Sequence, residues 1–171
     1  MTLRSRLPFA AAIAALAVVA GPACAGVEHQ PQSGTPAYEV DVPDAGWQVT
    51  RDPDGNLYLL ADDHSGGIVL NIVATEGAGD MDLDALAAQS MKVANAPLPD
   101  HKLPGAVGGV PGMTYYSSMA GDSGKALSVK LTLVKVDANH VASDAEIRGP
   151  NITPAQSAAI DALAARVHFI R

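Results

Sequence analysis

Apolar and polar positions alternate along YEVDV (38–42), so Tyr38, Val40 and Val42 share one face of a short strand. A PDAG turn leads into WQVTR (47–51), a second strand with Trp47 and Val49 on one side. DPDG (52–55) is a turn signal, and NLYLLA (56–61) returns as a strand, which predicts a hairpin. After DDHSGG, the run IVLNIVAT (68–75) is almost continuously apolar. A run of that kind predicts a strand buried on both faces, central in its sheet.

The period then changes. Across DMDLDALAAQSMKVAN, the residues Leu83, Leu86, Ala87, Met91 and Ala94 recur at helical spacing and define one buried face. Residues 96–112 are rich in Pro and Gly and predict a long loop. MTYYSSM and KALSVKLTLVKVD flank AGDSG and predict another hairpin. In its second strand Leu127, Val129, Leu131 and Leu133 alternate with Ser128, Lys130 and Thr132, so one face is expected in the core and the other in water. HVASDAEI is a weaker strand. NITPAQSAAIDALAARV predicts a final helix, with Thr153 as cap, Pro154 at the first helical position and Gln156 closing a capping box. Its buried stripe is Ile160, Leu163, Ala164 and Val167. Strand runs joined by hairpins, with few helices between them, predict an α+β fold. The expectation is a mostly antiparallel sheet of about six or seven strands with two main helices.

The first 25 residues follow a different pattern. Arg4 and Arg6 precede an apolar run from Phe9 to Ala20, 12 residues long. A bilayer-spanning helix needs roughly 20. The run has instead the length of a signal-peptide core, and Ala23 and Ala25 supply the small-x-small cleavage pattern before Gly26. The predicted organisation is a signal peptide at 1–25, a flexible polar leader at 26–37 and a single domain at 38–171. The predicted location is the bacterial periplasm. The rival processing is acylation of Cys24, which would anchor the protein to a membrane. Gly21 and Pro22 stand where a lipobox has an aliphatic and a small residue, so cleavage after Ala25 is the better match. Cleavage also removes the only cysteine and with it every thiol chemistry. The mature form then carries no transmembrane helix.

Charge narrows the partners. Arg4 and Arg6 are two of eleven basic residues, against eighteen acidic ones, so the chain from Gly26 has a formal net charge of −9. That argues against nucleic acid, whose phosphates demand clustered Lys and Arg, and against anionic lipid surfaces. A basic protein partner, a cation or a neutral ligand remains.

Four stretches offer candidate chemistry. In DPDGN, the residues Asp52, Asp54 and Asn56 occupy the first, third and fifth positions of an EF-hand-like loop, with Asp62 and Asp63 across the next turn. Leu57 stands at the obligatory glycine and Asp63 at the closing glutamate, so an Asp-Gly hairpin turn explains the stretch better than a cation site. GDSG (121–124) resembles the nucleophile motif of trypsin-like serine proteases, with His64, Asp80 or Asp82, and Ser123 in the corresponding order. Lys125 replaces the glycine that follows in that family, and the chain is too short for two six-stranded barrels. DMDLD places Asp80, Asp82 and Asp84 at alternate positions, which suits a helix cap and first-turn acids. The histidines (29, 64, 101, 140 and 168) show no zinc-ligand spacing, and no phosphate-binding glycine pattern is present, so neither metal nor cofactor is predicted. His168 suits the negative end of the last helix. Tyr115 and Tyr116, adjacent in a strand, must face opposite sides, and one of them beside the 96–112 segment is a candidate binding residue.

The order VPDAGWQVTRDPDGNLYLL, IVLNIVATEG, DLDALAAQSMKVAN, GGVPGMTYY and IDALAARVHFIR resembles the PsbP-like (DcrB-like) α/β/α sandwich superfamily over about residues 38–171. The resemblance implies a binding or assembly factor with no shared catalytic site, and it transfers no functional residue. Some relatives are toxin chaperones, and some periplasmic ones are immunity proteins. The leading expectation is therefore a non-enzymatic factor acting through a protein surface. The alternatives are an immunity protein that neutralises an exported toxin, and a hydrolase using Ser123. Processing is checked by intact mass of the exported protein: a start at Gly26 is expected, and an acylated Cys24 would reverse that reading.

Overall fold

A computed structural model describes residues 27–29, 34–43, 45–121 and 124–170. The expected signal peptide at 1–25, with Ala23, Cys24 and Ala25, and the expected new N-terminus Gly26 lie outside the described residues, as do Asp122 and Ser123. The chain forms strands β1 (Val27–His29), β2 (Tyr38–Val40), β3 (Trp47–Arg51), β4 (Leu57–Ala61) and β5 (Gly66–Ala74). A 3-10 turn at Ala78–Asp80 and helix α1 (Leu83–Val93) follow. Next come β6 (His101–Val107), β7 (Val110–Ala120), β8 (Ala126–Lys135) and β9 (His140–Arg148), then helix α2 (Pro154–Ala164) and β10 (Val167–Phe169).

Two antiparallel meanders, β3-β4-β5 and β6-β7-β8-β9, dock through their last strands. The result is a seven-stranded sheet in the order β3-β4-β5-β9-β8-β7-β6. The α+β expectation holds, with the seven strands in one sheet and β1-β2-β10 in a second. Strand alternation sorts the core into two layers. From β5, Ile68, Leu70 and Ile72 pack with Leu57, Leu59, Tyr38, Val40 and the α2 residues Ile160 and Leu163. Val69 turns to the other face and joins Tyr115, Leu131, Leu133 and the α1 residues Ala87 and Met91. Each face thus has its own helix, and the small sheet shares the α2 face.

Both helices start as their sequences dictate. The Asp82 carboxylate accepts the Asp84 N–H at 2.9 Å and caps α1. Thr153 and Gln156 form the reciprocal capping box of α2, with Pro154 in its first turn. α2 ends at Ala164, however. Val167 and His168 belong to β10, which returns antiparallel to β2, so His168 faces solvent from a strand and not from a helix end.

Four further expectations give way. The 96–112 loop contains β6 and the start of β7, a hairpin turning at Gly108-Gly109 with φ of 56° and 79°. Two consecutive positive φ values make the tight turn that suits a twisted hairpin, and glycine supplies them without steric cost. Pro104 is tolerated because β6 is an edge strand, where a missing N–H costs no ladder bond. Second, the face of β8 expected in water is largely covered. Thr132 is buried against Thr114, their hydroxyls 2.9 Å apart, and Val134 sits in the α2-side core. Third, HVASDAEI is the fourth strand of seven, with neighbours on both sides. Fourth, Val27–His29, within the stretch expected to be leader, pairs with β2.

Gly112 pairs with Val134, where β7 crosses β8, and a Cβ there would lie 2.0 Å from the Leu133 carbonyl oxygen. Gly112→Ala should lower stability by about 2 kcal/mol, the usual scale of overpacking. Urea unfolding checks it as a drop in midpoint at unchanged slope.

Candidate functional site

The two adjacent tyrosines separate as strand geometry requires. Tyr115 is buried under α1, and its hydroxyl donates to Asp84 Oδ1 at 2.8 Å. Burial and that carboxylate raise the phenol's pKa. Lys102 salt-bridges the other oxygen of Asp84, and the two donors hold the carboxyl below its ordinary range. Tyr115 therefore ties α1 to the sheet. Tyr116 faces the α2 side, half-exposed, with His101 of β6 stacked on it at 4.4 Å between centroids and 6° between planes.

The aspartates of the turns are engaged by the chain itself. Asp52 Oδ1 accepts the N–H groups of Asp54 and Asn56 at 3.0 and 2.9 Å. Its Oδ2 accepts Asn56 Nδ2 and the Tyr58 hydroxyl, each at 2.7 Å. Burial works to raise the pKa of this carboxyl, but the Asn56 and Tyr58 hydrogen bonds outweigh it and lower it. Asp63 accepts Ser65 N–H at 2.9 Å and Gln156 Nε2 at 2.7 Å, which draws its pKa to about 2. These carboxylates brace turns and α2, in place of an ion. Among the described residues no group of three or more His, Cys, Asp or Glu is arranged to hold a metal.

The polar centre of the molecule is on β9, at residues that form no recognisable motif in the sequence. Asp144, Glu146 and Arg148 project to the α2 face, while Ala145 and Ile147 pack on the α1 side. Glu146 is 1% exposed, and its oxygens meet Lys130 Nζ at 2.7 Å and Arg148 Nη2 at 2.5 Å. Asp161 of α2 completes the cluster, 3.2 Å from Lys130 and 2.8 Å from Arg148, and Arg148 Nε donates to Ser157 Oγ at 3.0 Å. Burial pushes the Asp161 carboxyl up, and Lys130 and Arg148 more than offset it. The network fixes where α2 lies on the sheet. Its sequence signal is the charged period-two pattern D-x-E-x-R in a strand whose other positions are apolar.

Register extends a polar row from this cluster. Glu146 stands opposite Lys130, Lys130 opposite Tyr116, and Tyr116 opposite His101. The row runs from the covered centre of the sheet to its exposed β6 edge, where Leu103 is 52% exposed. On the opposite face a cleft of about 310 Å³, open to solvent, lies between the C-terminal half of α1 and the sheet. Met91, Ala94, Met119, Val129 and Ile147 line it.

No family model and no curated protein matches this chain. Solved structures do. LpqN of Mycobacterium tuberculosis, involved in cell envelope biogenesis, superposes with a TM-score of 0.51 at 14% identity, over 85% of this chain and 91% of LpqN. A protein from Bacteroides thetaiotaomicron VPI-5482 gives a TM-score of 0.51 at 10% identity over 78% of this chain. This chain spans 45% of that protein's length. At such identities the likeness is one of fold. The layering that the PsbP-like resemblance implies is present, and membership of that superfamily rests on the resemblance alone.

Asp144 has a consequence for stability. It is 3% exposed, its Oδ1 has no hydrogen-bond partner, and burial, aided by the neighbouring Glu146 charge, raises its pKa from 3.8 to about 8. The folded chain therefore holds a proton at this site that the unfolded chain has released above pH 4. Stability falls as pH rises from about 4 to 8, and the penalty is absent at lower pH. Asp144→Asn should raise the urea midpoint at pH 7.5, with the gain shrinking toward pH 4.

Proposed function

We propose that this protein is an exported factor of the bacterial cell envelope that works by binding a partner protein with a basic surface, without catalysis. The observation that carries the reading is the distribution of charge. The basic side chains Lys102, Lys130, Arg148 and Lys135 are spent on Asp84, on the Glu146–Asp161 cluster and on the Gly79 carbonyl. Glu39, Asp41, Asp54, Asp62, Glu76 and Asp80 stand exposed. These cations are matched within the chain, three of them by carboxylates, so the acids left over stand in excess on the surface a partner meets.

The envelope role of LpqN, carried by the same layering, supports the compartment. The N-terminal pattern supports export through cleavage before Gly26. Tyr116, half-exposed and stacked with His101 on the β6 edge that also exposes Leu103, supplies an aromatic anchor for a contact.

The test uses the immobilised protein and an envelope extract of the producing bacterium. A basic protein should be retained at low ionic strength and released as salt rises. A variant carrying Asp41→Asn, Asp62→Asn and Asp80→Asn should retain markedly less of it. Equal retention by the neutralised variant, or a hydrolytic activity abolished by Ser123→Ala, would overturn the reading.

A further inference from the structure

Among the described residues, β1 is, like β10, a minimally paired strand. It has three residues, pairs with β2 alone and stands at the edge of the small sheet. Its third residue nevertheless reaches well beyond that sheet. The His29 ring is 8% exposed and sits against the β3–β4 hairpin, with Nε2 3.0 Å from the Gly55 carbonyl oxygen. A carbonyl only accepts, so Nε2 carries the proton. Nδ1 is then the lone-pair nitrogen, and it accepts Arg51 Nε–H at 3.1 Å. The partners' chemistry assigns one neutral tautomer. The ring edge of Tyr38 from β2 completes the site, 5.3 Å away and near perpendicular.

We propose that β1 is an acid-sensitive latch: a second proton on His29 expels the ring from the β3–β4 hairpin and frees β1 from the edge of β2.

Among the described residues, the groups around the ring offer a charged imidazole no second acceptor. An Nδ1–H would point at the Arg51 N–H, donor against donor and cation against cation. Asp52, the nearby carboxylate, already accepts from Asp54 N, Asn56 N, Asn56 Nδ2 and Tyr58 OH. Turning it toward His29 would dismantle the hairpin turn. Tyr38 offers its ring, and its hydroxyl is directed to the Leu70 carbonyl at 3.4 Å. Desolvation leads in lowering the His29 pKa from 6.5. The Gly55 hydrogen bond opposes it, the Arg51 charge adds to it, and the Asp52 charge opposes it.

The sign follows. The released strand carries a histidine with the ordinary value of 6.5, whereas the docked strand resists the proton. Docking is complete above 6.5 and weakens as pH falls below it. Unlatching uncovers the edge of Tyr38–Val40, which another strand could then occupy.

Nuclear magnetic resonance of the isotope-labelled purified protein between pH 8 and pH 5 tests the latch. Cross-strand contacts between Glu28 and Glu39 should fade below pH 6.5, in step with titration of the His29 ring. Contacts between Glu39 and His168 in β10 should persist, showing that the rest of the sheet stays folded. His29→Gln can still donate to Gly55 and accept from Arg51 but cannot titrate, so its Glu28–Glu39 contacts should survive to pH 5. The proposal is overturned if the wild-type contacts persist once His29 is charged. It is also overturned if His29→Gln loses them at the same pH.

Discussion

Glu146 is a carboxylate on the central strand of a sheet covered by helices on both faces, and it has almost no access to water. A charge in that position must be paired or it will not remain a charge. Lys130 reaches it from β8, Arg148 from two residues along β9, and Asp161 from α2 balances both cations. These contacts set α2 over β9 and β5, with one face toward Ile68 and Leu70 and its Asp161 edge toward Lys130 of β8. An apolar replacement could bury as much surface. It would not single out one position of the helix along the sheet, because dispersion and desolvation carry no direction.

Asp144 lies two residues before Glu146 on the same face and reaches the opposite solution. It has no cation of its own, and it stays neutral over most of the accessible pH range. The two carboxyls show how far neighbouring geometry decides protonation: one is flanked by two cations, the other by a threonine and apolar β5. If both were ionised, the cluster with Asp161 would carry an uncompensated negative charge inside the sheet. Protonation of Asp144 leaves it balanced.

The two meanders divide the labour of the fold. The β3-β4-β5 half carries the engaged turns, where Asp52 and Asp63 spend their lone pairs on the backbone and on Gln156, and it receives β1 through His29. The β6–β9 half carries the ionic centre and the exposed His101–Tyr116 edge. Pro104 removes one N–H from the outer strand β6. Its backbone is therefore a poor template for further strands, and its side chains are left to make contacts.

The sequence by itself determined every element whose signal is local. The capping box of α2, the Asp82 cap of α1, the alternation of Tyr38, Val40 and Val42, the DPDG hairpin and the opposite placement of Tyr115 and Tyr116 are all written in spacings of a few residues. The α+β class follows from their order. What it did not reveal was decided between distant segments. Strand β6 was hidden because proline and glycine signal a loop until an edge position and a two-glycine turn are known. β9 reads as a weaker strand because Asp144, Glu146 and Arg148 interrupt its apolar positions, and only Lys130 and Asp161, 16 and 15 positions from Glu146, make such charge tolerable inside. His29 sat in a polar stretch with no periodicity, and its role exists only because Gly55 and Arg51, more than twenty residues on, present one acceptor and one donor to its two nitrogens. Local pattern fixes backbone conformation because those energies act within a turn or two. The fate of a buried charge depends on what the rest of the chain brings within hydrogen-bond reach.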